Sequence, residues 1–158
     1  MAHRKFHTAT ITPTCITTEV DDGEIIFNPT KVPGACLRDS ASLLKSISIH
    51  DSADQNASFD LYFMQVSKDL GTAGAAISIS AADAKLAKFL GVVTVPGTSS
   101  NVGNLINSIV HFKSDINMVV QSDGDDNDEG AIYVAGVAAQ TRTYAADSLS
   151  ITLGFEVL

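Results

Sequence analysis

The chain has no tryptophan, and aromatic residues make up only 6% of its 158 positions. A carbohydrate cleft is built on aromatic platforms, so a glycosidase or an ordinary sugar-binding module is a poor fit. Charge is scarce too, at 18% against roughly 25% in an average soluble domain. Basic residues are the scarcer sign: 10 Lys and Arg face 18 Asp and Glu, a net charge of −8. A phosphate backbone needs a basic face, so this balance weighs against nucleic-acid binding. The one locally basic stretch is His3-Arg4-Lys5. No apolar run approaches the roughly 20 residues that span a bilayer. The first residues, Met1 to Phe6, lack the apolar stretch of a signal peptide. The expectation is a protein made in a cytoplasm, with no membrane partner.

The signatures of catalysis and cofactor binding are also missing. There is no Gly-x-Ser-x-Gly elbow for a nucleophile. His50 and Asp51 supply two members of a triad on paper, with no motif around them. Gly71-Thr72-Ala73-Gly74 precedes a β-type run, and no Gly-Lys-Ser/Thr follows, which excludes a P-loop. The two cysteines, Cys15 and Cys36, form no C-x-x-C pair and so make no zinc knuckle. They are expected as buried free thiols in a reducing compartment, although pairing stays open. The expectation is no enzyme and no cofactor.

What is present is period-2 alternation, which sends successive side chains to opposite faces of a strand. Leu149, Ile151, Leu153, Phe155 and Val157 take one face of the last strand, and Ser148, Ser150, Thr152, Gly154 and Glu156 the other. Similar patterns predict strands over 43–50, with Leu43, Ile47 and Ile49 inward, and over 59–64, 116–121 and 132–135. Shorter candidates are 9–18, 75–79, 91–95, 106–112 and a small strand over 24–27. Turn signals separate them, among them Asp22-Gly23, Asn28-Pro29, Pro33-Gly34 and Pro96-Gly97. Eight or nine strands with these spacings predict an all-β sandwich in one domain, 1–158.

Ser80 followed by Asp83 reads as a capping box, and Ala82, Leu86 and Phe89 recur at helical spacing before Gly91. This predicts one short helix near 81–90, its apolar stripe packed on the core. Residues 1–40 are the least regular, with Pro13, Pro29 and Pro33 among short candidate strands. They form either an extended arm reaching a neighbour or edge strands of the same domain, whose sandwich core is 41–158. On the arm alternative, deleting residues 1 to about 20 leaves the fold intact and weakens assembly. The protein-interface candidates there are His3, Arg4, Lys5, Phe6 and Ile11.

The sharpest local feature is the acidic loop 123–130. Asp123, Asp125 and Asn127 match the first ligand positions of a calcium loop, but the sixth position is Asp128 rather than Gly and the twelfth is Val134 rather than Glu. Asp123, Asp125, Asn127 and Asp128 are weak metal candidates, and a solvated loop is the plainer expectation.

The order Phe59-Asp60-Leu61-Tyr62-Phe63, Leu70-Gly71-Thr72, Ala76 to Ser80, the helix through Leu86, Leu90-Gly91-Val92-Val93 and the ending from Tyr144 to Phe155 resembles small virion structural proteins of tailed bacteriophages. The resemblance is strongest to head decoration, or cement, proteins and covers about residues 40 to 158. It implies a jelly-roll fold and a place on the outer surface of the capsid. It also implies two partners: the major capsid protein and further copies of the chain, as dimers or trimers. A tail or neck component, or a calcium- or sugar-dependent binding module, is the alternative.

Overall fold

A computed structural model describes residues 5–37, 40–97, 102–124 and 130–158. The chain is an all-β sandwich with one short helix. Its twelve described strands are β1 (Phe6–Ile11), β2 (Glu19–Val20), β3 (Ile25–Val32), β4 (Ala41–Asp51), β5 (Phe59–Met64), β6 (Phe89–Val95), β7 (Val102–Leu105), β8 (Ser108–Lys113), β9 (Met118–Gln121), β10 (Ile132–Ala138), β11 (Arg142–Thr143) and β12 (Leu149–Val157). The helix α1 is Ala81–Ala87. The larger sheet runs β1-β12-β4-β8-β7, with β9 also paired to β4. The smaller runs β3-β10-β5-β6, and β2 with β11 makes a separate two-stranded ribbon. All pairings are antiparallel.

The alternation in β12 does what period 2 requires. Leu149, Ile151, Leu153 and Phe155 are buried and meet Ile47, Ile49, Phe59, Leu61 and Phe63 from the other strands in one core between the sheets. In β4 the predicted phase slips. Gly154 stands opposite Ser46 and Phe155 opposite Leu44, so Lys45 is an extra residue on β4. Such a bulge moves every later side chain to the other face. Leu44 is therefore buried and Leu43 only half-buried, the reverse of the expectation. On the far side of β4, β9 pairs with residues 41–44 and β8 with residues 47–51, leaving the segment between β8 and β9 to cross at the bulge.

A second, smaller core lies on the outer face of the smaller sheet. Ile25, Met64, Leu70, Ala87, Ala135 and Val137 pack there under α1 and the loop that leads into it. This is why β10 buries most of both its faces. Two expectations are also corrected here. Residues 75–79 form no strand. Leu70 O already accepts from Ser78 N at 2.8 Å, which folds the loop back on itself and leaves one bridge, Glu24 to Ala76. Asn28-Pro29 is no turn but lies within β3, where an edge position and a register shift against β10 accommodate the proline.

The helix starts as expected, with Ser80 Oγ accepting from Asp83 N at 3.1 Å. It ends earlier than Leu90. Lys88 takes the left-handed cap conformation at φ 52°, and the carbonyls of Ala87 and Lys88 accept from Val66 N and Gln65 N. Gly91 belongs to β6 instead. The helical stripe is not core: Ala82, Leu86 and Phe89 are exposed and only Ala87 is buried.

Residues 5–37 belong to the domain's own sheets. β1 pairs along six residues with β12, and Ile11 is buried opposite Ile151. The edge-strand alternative is the one observed, and deleting residues 1–20 removes an edge strand together with the buried Ile11, Cys15 and Val20.

Gly136 sits where the rings of the inter-sheet core leave no space for a side chain. A Cβ there would lie 2.2 Å from Phe27 Cε1. Gly136→Ala is expected to cost about 1–3 kcal/mol, because a close-packed core cannot absorb the extra carbon without moving the ring. Urea unfolding measures this, and an unchanged midpoint would show that Phe27 has room to retreat.

Candidate functional site

Two features stand apart from ordinary packing: a buried polar cluster, and the solvent-facing side of the larger sheet. The cluster forms where β4 ends. Asp51 is fully buried and its carboxylate accepts from Ala53 N at 2.8 Å and Gln55 N at 3.0 Å, closing the turn after β4. His111 of β8 is also fully buried, with its ring edge-on to Phe59 at 5.1 Å. Tyr144 packs on the same phenylalanine at 5.7 Å.

Strand alternation decides which histidine meets Asp51. His50 points outward from β4 while Asp51 points inward, so the adjacent pair suggested by sequence diverges. His111, opposite Ile49 in the neighbouring strand, takes the inward place. No local motif announces it, since the two residues are 60 positions apart and meet only through sheet register.

Burial shapes the titration of this cluster. It lowers the His111 pKa from the ordinary 6.5, and the Asp51 charge opposes that shift. The carbonyls of Gln55 and Pro96 also oppose it, without reaching hydrogen-bond geometry with either ring nitrogen. Burial raises the Asp51 carboxyl, while the two turn amides and His111 hold it down. Burial, reinforced by the Asp51 charge, pushes the Cys15 thiol up to about 12 and raises the Tyr144 hydroxyl. Cys36 is likewise raised by burial. The two cysteines are buried, free and unpaired with each other. A thiol with a raised pKa is a poor nucleophile, so both behave as small core residues.

The second feature is built by register. On the solvent side of the larger sheet, Thr8, Gly154 and Ser46 form one row across β1, β12 and β4. Thr10, Thr152, Ser48 and Phe112 form the next, with the Thr10 and Thr152 hydroxyls 2.9 Å apart. Ser150, His50, Val110 and Gly103 follow. Beyond the bulge, Phe6, Glu156, Leu43 and Val119 make a fourth row. Across these rows the one carboxylate is Glu156, only 5% exposed, with Lys45 Nζ 4.0 Å away. Phe6, Phe112 and Val119 stand 68%, 50% and 54% exposed. A groove of about 400 Å³ is lined by Phe6, His7, Thr8, Lys45, Ser46, Gly154 and Phe155, with the Ser46 hydroxyl folded over Gly154. Lys45 is held at its rim by Asn117.

The residues singled out by sequence divide among these places. Lys5 and Phe6 are exposed at the start of β1, and Phe6 lines the groove. Ile11 is core rather than interface. His3, Arg4, Asp125, Asn127 and Asp128 lie outside the described residues. Asp123 is ion-paired with Lys88, and among the described residues no cluster of three His, Cys, Asp or Glu side chains is placed to hold a metal. Sequence reasoning missed the groove, though a glycine inside an otherwise regular strand is a signal for a bulge or a close approach. No family model matches the chain, and no curated protein matches it.

The cluster carries a pH dependence whose sign follows from burial. Folded His111 resists protonation while unfolded histidine titrates near 6.5, so the unfolded chain binds more protons below that value. The stability His111 contributes is present above pH 6.5 and lost as pH falls through its lower folded pKa. The raised Asp51 carboxyl works in the opposite direction, so the contrast between variants is the informative readout. Chemical denaturation from neutral to mildly acidic pH is expected to show a steeper loss for the wild type than for His111→Gln. Parallel curves would mean that His111 is accessible to protons in the folded state.

Proposed function

We propose that the chain is a structural protein of a virus particle: a head-decorating subunit of the tailed-phage kind that lies on the outer surface of the capsid and binds the major capsid protein and its own copies. The observation that carries this reading is that both broad sides of the sandwich expose apolar side chains. Phe6, Phe112 and Val119 stand on the larger sheet, and Leu86, Phe89 and Val92 on the side that carries α1. A subunit that cements a shell needs two contacts, one to the shell and one to its neighbours. Threonine and serine hydroxyls between the apolar residues cost little to desolvate compared with lysine or glutamate heads.

Strand order supports the jelly-roll part of the proposal. Counting β1, β3, β4, β5, β6, β8, β10 and β12 as the eight principal strands, the larger sheet runs first, eighth, third, sixth. The smaller runs second, seventh, fourth, fifth. That order is the one expected of two interleaved Greek keys and so supports the jelly-roll reading, an architecture found in capsid domains. Binding energy would come from burial, at about 25 cal/mol per Å² of apolar surface. Repetition over many copies on one shell would add avidity without stronger single contacts.

Sedimentation of the purified protein with and without phage capsids, in calcium and in EDTA, tests this reading. The expected result is co-sedimentation at a fixed stoichiometry per capsid, indifferent to the metal. A protein that ignores capsids sinks the proposal. A tail or neck role then follows if it associates with those parts. A calcium- or sugar-dependent module follows if ligand raises its melting temperature.

A further inference from the structure

We infer that the solvent side of the larger sheet is the surface on which a second copy of this chain docks, face to face about a two-fold axis. The inference deepens the assembly reading above by assigning one of its two contacts. Three observations converge on a second copy as the occupant.

The first is charge. Each copy carries a net charge of −8, so two copies repel wherever their carboxylates meet. The rows across β1, β12, β4 and β8 hold one carboxylate, Glu156, which is 5% exposed and faced by Lys45 at 4.0 Å. Two copies can meet there without opposing acids. The opposite broad side carries Asp60, Lys68, Asp83, Lys85 and Lys88, which suits a partner of different charge pattern.

The second is shape. The same face carries a half-exposed aromatic ring and a groove. Phe112 stands 50% exposed beside Gly103, whose missing side chain leaves room for the ring. The groove of about 400 Å³ lies one row away, beside Gly154. A two-fold operation exchanges ring and groove, so each Phe112 seats in the partner's groove against Phe6 and Thr8. A surface that carries both halves of a contact is self-complementary, which is what an isologous interface requires.

The third is size. Five strands spaced about 4.8 Å, of about seven residues on average rising about 3.4 Å each, give a footprint of roughly 600 Å². A standard interface takes about 800 Å² from each partner. The rows of Thr8, Thr10, Thr152, Ser48 and Gly154 carry short side chains, which let two sheets approach closely.

Sedimentation equilibrium of the full chain tests the assignment, alongside the outward substitutions Ser48→Arg and Phe112→Ser. Thermal melting and circular dichroism serve as controls for folding. The wild type is expected to dimerise, Ser48→Arg to be monomeric with an unchanged spectrum, and Phe112→Ser to dissociate at least about tenfold more readily. A wild type that stays monomeric at roughly 100 µM overturns the inference, because interfaces of this size hold at micromolar concentration or better. A Ser48→Arg protein that folds and still dimerises overturns it equally, since the contact must then lie elsewhere. Should Ser48→Arg fail to fold, Thr10→Arg, exposed on the edge strand of the same row, gives the same decision. Capsid binding is scored separately: a monomer that co-sediments with capsids defeats only this inference, and a dimer that ignores capsids defeats only the virion reading.

Discussion

The larger sheet depends on β4. Its backbone pairs with β12 along nearly the whole of its length on one side, and with β9 and then β8 on the other. The single extra residue at Lys45 is the constraint from which much else follows. Because of it, Leu44 and Ile47 both reach the core although they are three positions apart. Because of it, the chain between β8 and β9 leaves the ladder, and Ile116 N bonds to Lys45 O at 3.3 Å as it crosses. The groove opens at the same place, lined by Lys45, Ser46 and Gly154. One backbone irregularity thus sets the inner face, the strand break and the surface relief together.

How far sequence reached depended on whether a signal was local. The alternation in β12 and β5 predicted strand and facing together, because a one-sided buried strand writes its pattern into consecutive residues. The Ser80 cap was equally plain, since the hydrogen bond that starts the helix spans three residues. Three errors share one cause: the deciding partner was distant in sequence. Leu43 and Leu44 exchanged roles through a bulge that is visible only against β12. Residues 75–79 had strand composition, but the backbone of Leu70 had already claimed Ser78. The helix stopped at Ala87 because Gln65 and Val66 take its last carbonyls. The candidate surface was harder still, for its rows are assembled from β1, β12, β4, β8 and β7, and apart from the β7–β8 hairpin no short window of sequence contains two members of a row.

The molecule separates its charge unusually. Ionisable groups that most proteins keep at the surface, Asp51 and His111, are fully enclosed, while the broad face of the larger sheet is left to hydroxyls and a few apolar side chains. Asp51 is tolerable inside because two turn amides bond its carboxylate and a histidine lies close by. The interior polarity fixes the end of β4 and the turn that follows. The exterior neutrality makes the sheet face cheap to desolvate.

The place of β12 has a consequence for biosynthesis. This strand is made after the other eleven, yet it lies between β1 and β4 and fills the middle of the inter-sheet core with Ile151, Leu153 and Phe155. Until it emerges from the ribosome, β1 has no neighbour and β4 offers an open edge. Until then the nascent chain holds two unpaired strand edges, the condition in which chains most readily capture one another. Closure by non-local pairing is also slow. The larger sheet of this domain thus closes in one late step, when its last described strand enters the gap between β1 and β4.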